Sequence, residues 1–187
     1  TLNRSVAIKM LRHTMVFDQE FAAHFAAEAA LVAQLEHPNI ARVFDHENAY
    51  ATQFIIMEMV EGVTLTEVMR ANPQMDEGAV RRIILQLADA LGYAHSAGIV
   101  HRDVKPDNVM VAPGQPIKLM DFGIARPMTE GCPDEAIIGT MPYMAPEQGH
   151  PGPVDGRADI HALGVIAYEM LTDRSPFDDA EVFESLH

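Results

Sequence analysis

Hydrophobic and polar positions along this chain change period several times, and the changes predict strand, helix, two strands and then mainly helices. Val6-Ala7-Ile8-Lys9-Met10-Leu11 is a short apolar run broken by one lysine, as in a buried strand that carries a functional charge. A strand-edge lysine that snorkels to solvent is the commoner source of such a pattern. Residues 17–35 are rich in Ala, Glu, Phe and Leu without Gly or Pro, which predicts a helix with Phe21, Phe25, Leu31, Val32 and Leu35 apolar and Pro38 as its stop. Residues 40–44 and 53–59 read as strands. Gly62 marks a break, after which residues 65–71 form a short helix with Thr64 as N-cap and Asn72-Pro73 as its end.

Residues 76–97 give the clearest amphipathic pattern. Val80, Ile83, Ile84, Leu87, Leu91 and Ala94 follow the i, i+3, i+4, i+7 rhythm, and Gly98 supplies the C-terminal stop. Residues 108–111 and 117–120 read as short strands around the turn signal Pro113-Gly114-Gln115-Pro116. Residues 127–140 predict a mobile surface loop, and residues 141–153 a mostly irregular one. Residues 158–171 are apolar almost all round, including Ile160, Leu163, Val165, Ile166 and Met170, as in a helix buried at a domain centre. Asp159 inside that helix is costly unless it has a dedicated partner.

Composition narrows the class. A length of 187 residues with 48% hydrophobic content permits one core-bearing domain or a compact two-lobed one. No run approaches ~18 uninterrupted apolar residues, and Thr1-Leu2-Asn3-Arg4-Ser5 lacks the apolar stretch of a signal peptide. The single Cys132 excludes an internal disulfide framework, suits a reducing compartment and reads as an incidental loop thiol. These features predict a cytoplasmic segment without membrane contact. The net charge of −14 excludes nucleic acid as the expected partner, because phosphate contacts need a basic patch. It favours basic peptides only weakly, solubility being the simpler explanation. The nine histidines show no helical ligand pair, so apart from His101 they read as surface or packing residues.

The chemistry concentrates in His101-Arg102-Asp103-Val104-Lys105-Pro106-Asp107-Asn108 and, further on, Asp121-Phe122-Gly123. Asp103 can accept the proton of an attacking hydroxyl, and Lys105 can hold a moving phosphate as a point charge. Asn108 and Asp121 are hard oxygen ligands of the kind Mg²⁺ takes from protein, one or two at a time. Asp-Phe-Gly alone is an ordinary turn. Four specified residues in His-Arg-Asp-x-x-x-x-Asn arise at a given position with odds on the order of one in 10⁵, and the second element in order removes coincidence.

With these motifs the sequence resembles the eukaryotic-type, or Hanks-type, serine/threonine protein kinases, and its wording is most similar to bacterial members. The resemblance runs from Val6-Ala7-Ile8-Lys9 through Gly139-Thr140-Met141-Pro142-Tyr143-Met144-Ala145-Pro146-Glu147 to the final helix. It implies an α+β, bilobal fold: one kinase domain over residues 1–187, with a partial, antiparallel-sheet N-lobe over 1–59 and a partial, mainly helical C-lobe over 60–187. It further implies ATP and Mg²⁺ as cofactors, protein Ser/Thr hydroxyls as acceptors, and a homodimer as one route to autophosphorylation.

By the same resemblance Lys9 touches the ATP phosphates and pairs with Glu28. Glu20 is the rival acid, but Glu28 has the family's spacing to His37-Pro38-Asn39. Met57 is the gatekeeper, Glu58 and Val60 meet adenine through backbone groups, and Ala7 and Met110 complete the nucleotide-binding set. Asp103, Lys105 and Asn108 form the catalytic set, with Asn108 and Asp121 on the metal. His101, Phe122, Val32 and Val43 stack as a spine anchored on Asp159, whose partners are N–H groups of the catalytic loop. Lys105 with Thr140 matches the serine/threonine branch, Thr140 bonding near Asp103 and Lys105. Arg102 beside Asp103 resembles kinases switched by activation-loop phosphorylation; here Thr129 is expected to be at most a weak switch.

The family's glycine-rich loop should precede Val6, and its last helices should follow His187, so the chain reads as a fragment of a longer product. Glu147, buried in the family and paired with an arginine beyond this chain, is expected to be uncompensated. Two other readings compete with a protein kinase: a pseudokinase, scaffold or inactive fragment, and a small-molecule phosphotransferase of related fold. The residues 139–147, similar to a peptide-docking loop, argue against the second. Presence of Lys9, Glu28, Asp103, Asn108 and Asp121 argues against the first for the parent protein.

Overall fold

The computed structural model describes residues 4–10, 19–49, 52–122, 141–150 and 152–178, with the side chains of residues 19–24, 28 and 141 outside that description. The expectations for the Glu28 side chain and for Gly123, Thr129, Cys132, Gly139 and Thr140 therefore lie outside the described residues, as does the loop over 127–140.

The α+β architecture rests on two antiparallel three-stranded sheets. In the first, β1 (Val6–Met10) and β2 (Val43–Ala49) flank β3 (Thr52–Glu58). The central β3 is the most buried strand of this sheet and encloses Ile55 and Met57, whereas β1 has one open edge and exposes Ile8 and Met10. Side chains alternate across a strand, so Ala7 and Lys9 share the other face of β1, and Ala7 sits opposite Met57. The strand expected over 40–44 is displaced: β2 starts at Val43 and runs through the polar Asp45-His46-Glu47-Asn48. Pairing with β3 imposes extended backbone there in spite of composition. Phe44 falls at a register shift in the ladder, with the Arg4 guanidinium 3.4 Å from its ring centroid.

Helix α1 (Gln19–Val32) places Phe25, Ala29 and Val32 in the core at helical spacing. It ends well before Pro38. Tighter bonds from Gln34 N to Leu31 O and from Leu35 N to Val32 O already close the last turn, so the proline follows a finished helix. A short connection then touches both sheets. Leu119 N donates to Asn39 O at 2.8 Å, Ala41 N donates to Leu119 O at 2.9 Å, and Asn39 Nδ2 donates to Ile117 O and Gln86 Oε1.

The second sheet consists of β4 (Val63–Thr64), β5 (Val109–Val111) and β6 (Lys118–Leu119). Between β4 and β5 lie α2 (Leu65–Ala71) and α3 (Glu77–Ser96). Thr64 caps α2 through a reciprocal box: Glu67 N donates to Thr64 Oγ1, and Thr64 N donates to Glu67 Oε2. Asp76 accepts from Ala79 N at the start of α3, and Gly98, at φ +77°, follows its end. Val80, Ile83, Leu87, Ala90, Leu91 and Ala94 are buried, a stripe that packs on α4 (Arg157–Thr172).

Helix α4 is not buried all round as its composition predicts. Ala158, Asp159, Ala162, Leu163, Val165, Ile166 and Met170 are buried, while Ile160, Tyr168 and Leu171 on the opposite face are exposed. Glu147 is exposed as well, so the expected desolvation of its carboxylate does not arise. No helix among the described residues is long and apolar enough to cross a membrane.

Candidate active site

The residues between the two sheets assemble from their ends and connecting loops, where a rigid frame fixes exposed groups. Lys9, projecting from β1, donates from Nζ to Asp121 Oδ1 at 2.8 Å, across 112 residues of sequence. The two side chains are about one-third exposed and share a cleft with Val32, Ala41, Val43, Ile55, Met57 and Phe122. Met57 thus stands in the same cleft as the Lys9–Asp121 pair. Asp121 has φ +51°, a left-handed conformation that costs a non-glycine residue about 1–3 kcal/mol. Neighbouring contacts hold it there: the ion pair on one side, and on the other Phe122, buried with its ring centroid 4.5 Å from that of His101.

His101 is fully buried. Its Nε2 donates to Met120 O at 2.8 Å, and its Nδ1 accepts from Asp103 N at 3.2 Å. That pattern requires the neutral Nε2–H tautomer. Burial lowers the His101 pKa, outweighing the opposite pull of Asp159, the Met120 carbonyl, Asp103 and Asp121. Val32, Val43 and Phe122 line one cleft and share one core, and His101 joins them through its ring contact with Phe122.

Asp159 is the hub of the catalytic loop. At 1% exposure it accepts from His101 N at 2.9 Å, from Arg102 N at 2.8 Å and from His95 Nε2 at 2.7 Å. The two backbone partners match the expectation. His95 does not, since it reads from sequence as a packing residue. Its contact joins α3 to α4 across 64 residues, and no local pattern carries that information; the only available signal was a buried acid in need of donors.

Around the candidate base, Asn108 Nδ2 donates to Asp103 O at 2.8 Å and Asp103 Oδ2 at 3.1 Å, and Lys105 Nζ lies 3.4 Å from Asp103 Oδ2. Pro106–Asn108 forms a 3₁₀ turn, and Met120 N donates to Asn108 O at 2.7 Å, which ties the Asn108 turn to the strand end carrying Asp121. Asp103, Lys105 and Asn108 are thereby brought together, and Asp121 is fastened next to them by backbone.

The residues expected on a nucleotide side lie on both sheets and just beyond β3. Met110 is half-buried on β5 opposite Thr64 and Lys118. Glu58 closes β3, and its carboxylate accepts from Arg42 N and Lys118 Nζ, both at 3.0 Å. Glu58 N donates to Arg42 O at 2.8 Å, so its amide is already engaged within the protein. Val60 follows as half-buried, unpaired-strand backbone.

Residues Met141–Tyr143 and Pro146–Gly149 form 3₁₀ turns beside the catalytic loop. Tyr143 donates to Glu169 Oε2 on α4 at 2.8 Å. Burial, then the bond to Glu169, holds the Tyr143 phenol far above its usual range, and burial raises Glu169 above the ordinary carboxylate value.

Two antiparallel sheets, a capped helical frame and a loop of acidic, basic and amide side chains at their junction are consistent with a protein kinase fold. The chain belongs to the protein kinase domain family, whose model matches residues 1–186. Its curated relatives include bacterial serine/threonine-protein kinases. It is 39% identical over 184 residues to the serine/threonine-protein kinase PknB of Mycobacterium tuberculosis, covering 94% of this chain and 29% of that protein. To the probable serine/threonine-protein kinase PknB of Bifidobacterium longum it is 36% identical over 189 residues, covering 94% of this chain and 27% of the relative. The chain thus spans less than a third of the length of these relatives. Among solved structures, the Mycobacterium tuberculosis PknI kinase domain superposes with a TM-score of 0.75 at 36% identity, covering 91% of this chain and 65% of that one.

Proposed function

We propose that the protein containing this chain transfers the γ-phosphoryl group of ATP to serine and threonine hydroxyls of proteins. The observation that carries this reading is the convergence of Asp103, Asn108 and Lys105 within hydrogen-bond or ion-pair reach, tied by backbone to the Lys9–Asp121 pair. Asp103 accepts the proton of the attacking hydroxyl. Lys105, 3.4 Å from it, is placed to hold the transferred group near that hydroxyl. Lys9 moves its ammonium onto the α and β phosphates, with Glu28 as the second acid.

One amide oxygen and one carboxylate, Asn108 and Asp121, fit Mg²⁺, which draws its remaining ligands from phosphate and water. Bound there, Mg²⁺ supplies positive charge against the phosphate oxygens. Met57, the Glu58 carbonyl and Val60 line the adenine side, with Ala7 and Met110 on its two faces. Met59 and Val60 mark the passage between the lobes, residues 1–59 and 60–187. Protein substrates dock on residues 139–147.

Full-length protein is the material for the test. Lys9→Met and Asp121→Ala should each reduce phosphate transfer to a serine peptide by at least about a hundredfold, as expected when a charge-positioning group is removed. Retained activity in both would overturn the assignment. ATP with Mg²⁺ at about a hundred times its Kd should stabilise the native protein by about 2.7 kcal/mol.

A further inference from the structure

The peptide bond that leads into Asp103 is held at both of its polar ends, and one of the two holders is a side chain the mechanism above does not use. Arg102 has φ +64°, a strained conformation for arginine that persists only when its surroundings fix it. Arg102 N is taken by Asp159, and Asp103 N is taken by the His101 ring. The remaining group, Arg102 O, accepts from Gln148 Nε2 at 2.9 Å. Gln148 belongs to the Pro146–Gly149 turn, 46 residues away in sequence. Ala145, which precedes that turn, has no side-chain oxygen to cap it, so Gln148 Oε1 reaches back to accept from Ala145 N at 3.0 Å. The amide therefore faces a donor at one end and an acceptor at the other. Only one orientation satisfies both, and neither a carboxylate nor an apolar isostere can.

We infer that Gln148 is a positioning residue for the phosphoryl-transfer reaction: by fixing the Arg102–Asp103 peptide plane it aims the Asp103 carboxylate, and it couples the segment next to the docking turn to the base. This rests on the reading of Asp103 as the base. A small rotation of that plane swings the carboxylate away from the hydroxyl, and misplacement of about 1 Å can cost on the order of a hundredfold in rate. A partial loss of the clamp should cost on the order of tenfold.

The test uses full-length protein carrying Gln148→Glu or Gln148→Met. Gln148→Glu keeps the acceptor for Ala145 N and loses the donor to Arg102 O; Gln148→Met loses both. Both should lower kcat about tenfold with the KM for ATP within twofold of wild type. The ratio of Gln148→Glu to wild-type kcat should rise as pH falls from about 7.5 to 5, because the fraction with a protonated carboxyl regains the donor. The Gln148→Met ratio should stay flat. Normal kcat in Gln148→Glu, or a loss confined to peptide KM, overturns the inference. Hydrogen exchange at residues 101–105, compared with wild type, is an activity-independent readout. Faster exchange in both variants supports the clamp even if wild-type protein transfers no phosphate, an outcome that would defeat the kinase reading alone. Unchanged exchange overturns the clamp. Thermal unfolding checks that each variant is folded; should Gln148→Glu not fold, the kcat and exchange of Gln148→Met decide.

Discussion

Replacing Asp159 by alanine tests whether the catalytic loop depends on one buried carboxylate. The substitution strands three donors: His101 N, Arg102 N and His95 Nε2. His95 is partly exposed, with 23% of its side chain accessible, so water can replace its partner at little cost. The His101 N–H is buried and the Arg102 N–H partly so, and each buried donor left unsatisfied costs about 1–3 kcal/mol. The sum centres on about 4 kcal/mol, a large share of a domain stability of about 5–15 kcal/mol. Asp159→Asn retains one oxygen but turns an NH₂ toward a donor, and should cost about half as much. Urea unfolding of full-length protein, following this domain's own transition, measures both. A double-mutant cycle with His95→Ala should return a coupling of about 1 kcal/mol, since the contact joins the two central helices. A cost below about 1 kcal/mol for Asp159→Ala would refute the reasoning, because it would mean that the loop amides find other partners.

Three further outcomes follow from the same structure. Thr64→Ala should destabilise by about 1 kcal/mol by removing the N-cap oxygen of α2, while Thr64→Ser should restore most of it; equilibrium unfolding checks both. Tyr143→Phe removes the donor that Glu169 accepts and, with both groups only half-buried, should cost about 1 kcal/mol after discounting for solvent; the Glu169 pKa, followed by NMR, should rise further. Because the folded-state pKa of His101 is lowered, the unfolded chain takes up its proton first as pH falls. Stability should thus be complete above the ordinary histidine value near 6.5 and decline below it, at up to about 1.4 kcal/mol per pH unit. His101→Leu should flatten that part of the profile in urea titrations between about pH 7.5 and 5.5.

Much of the frame was legible because it is local. Thr64 and Asp76 declare helix starts by their side chains, and the stripe from Val80 to Ala94 declares α3 by its period alone. The candidate catalytic set stood out for a different reason: few chemistries need a base, a lysine and two oxygen ligands at such short spacing, and the fold brings Asp103, Lys105 and Asn108 together. What stayed hidden is set by distant partners. His95 and Gln148 look ordinary until the fold brings Asp159 and the Arg102 carbonyl to them. β2 contradicts its own polar composition because β3 supplies the ladder. Ile160 and Tyr168 look like core and lie at the surface, since hydropathy reports a preference for burial and not which face of a helix has a neighbour. Pro38, a breaker by type, follows a helix that had already ended.

The connection over residues 39–41 has a mechanical consequence. It hydrogen-bonds to β6 through Asn39 and Ala41 and is pinned to α3 by the Asn39–Gln86 bond. A strip fastened to the second sheet in this way runs straight on into the first, because Arg42 O accepts from Glu58 N at the end of β3. Residues 39–42 thus bond to both sheets, and a shift of either sheet is transmitted to the other by main-chain bonds as well as by the Lys9–Asp121 contact.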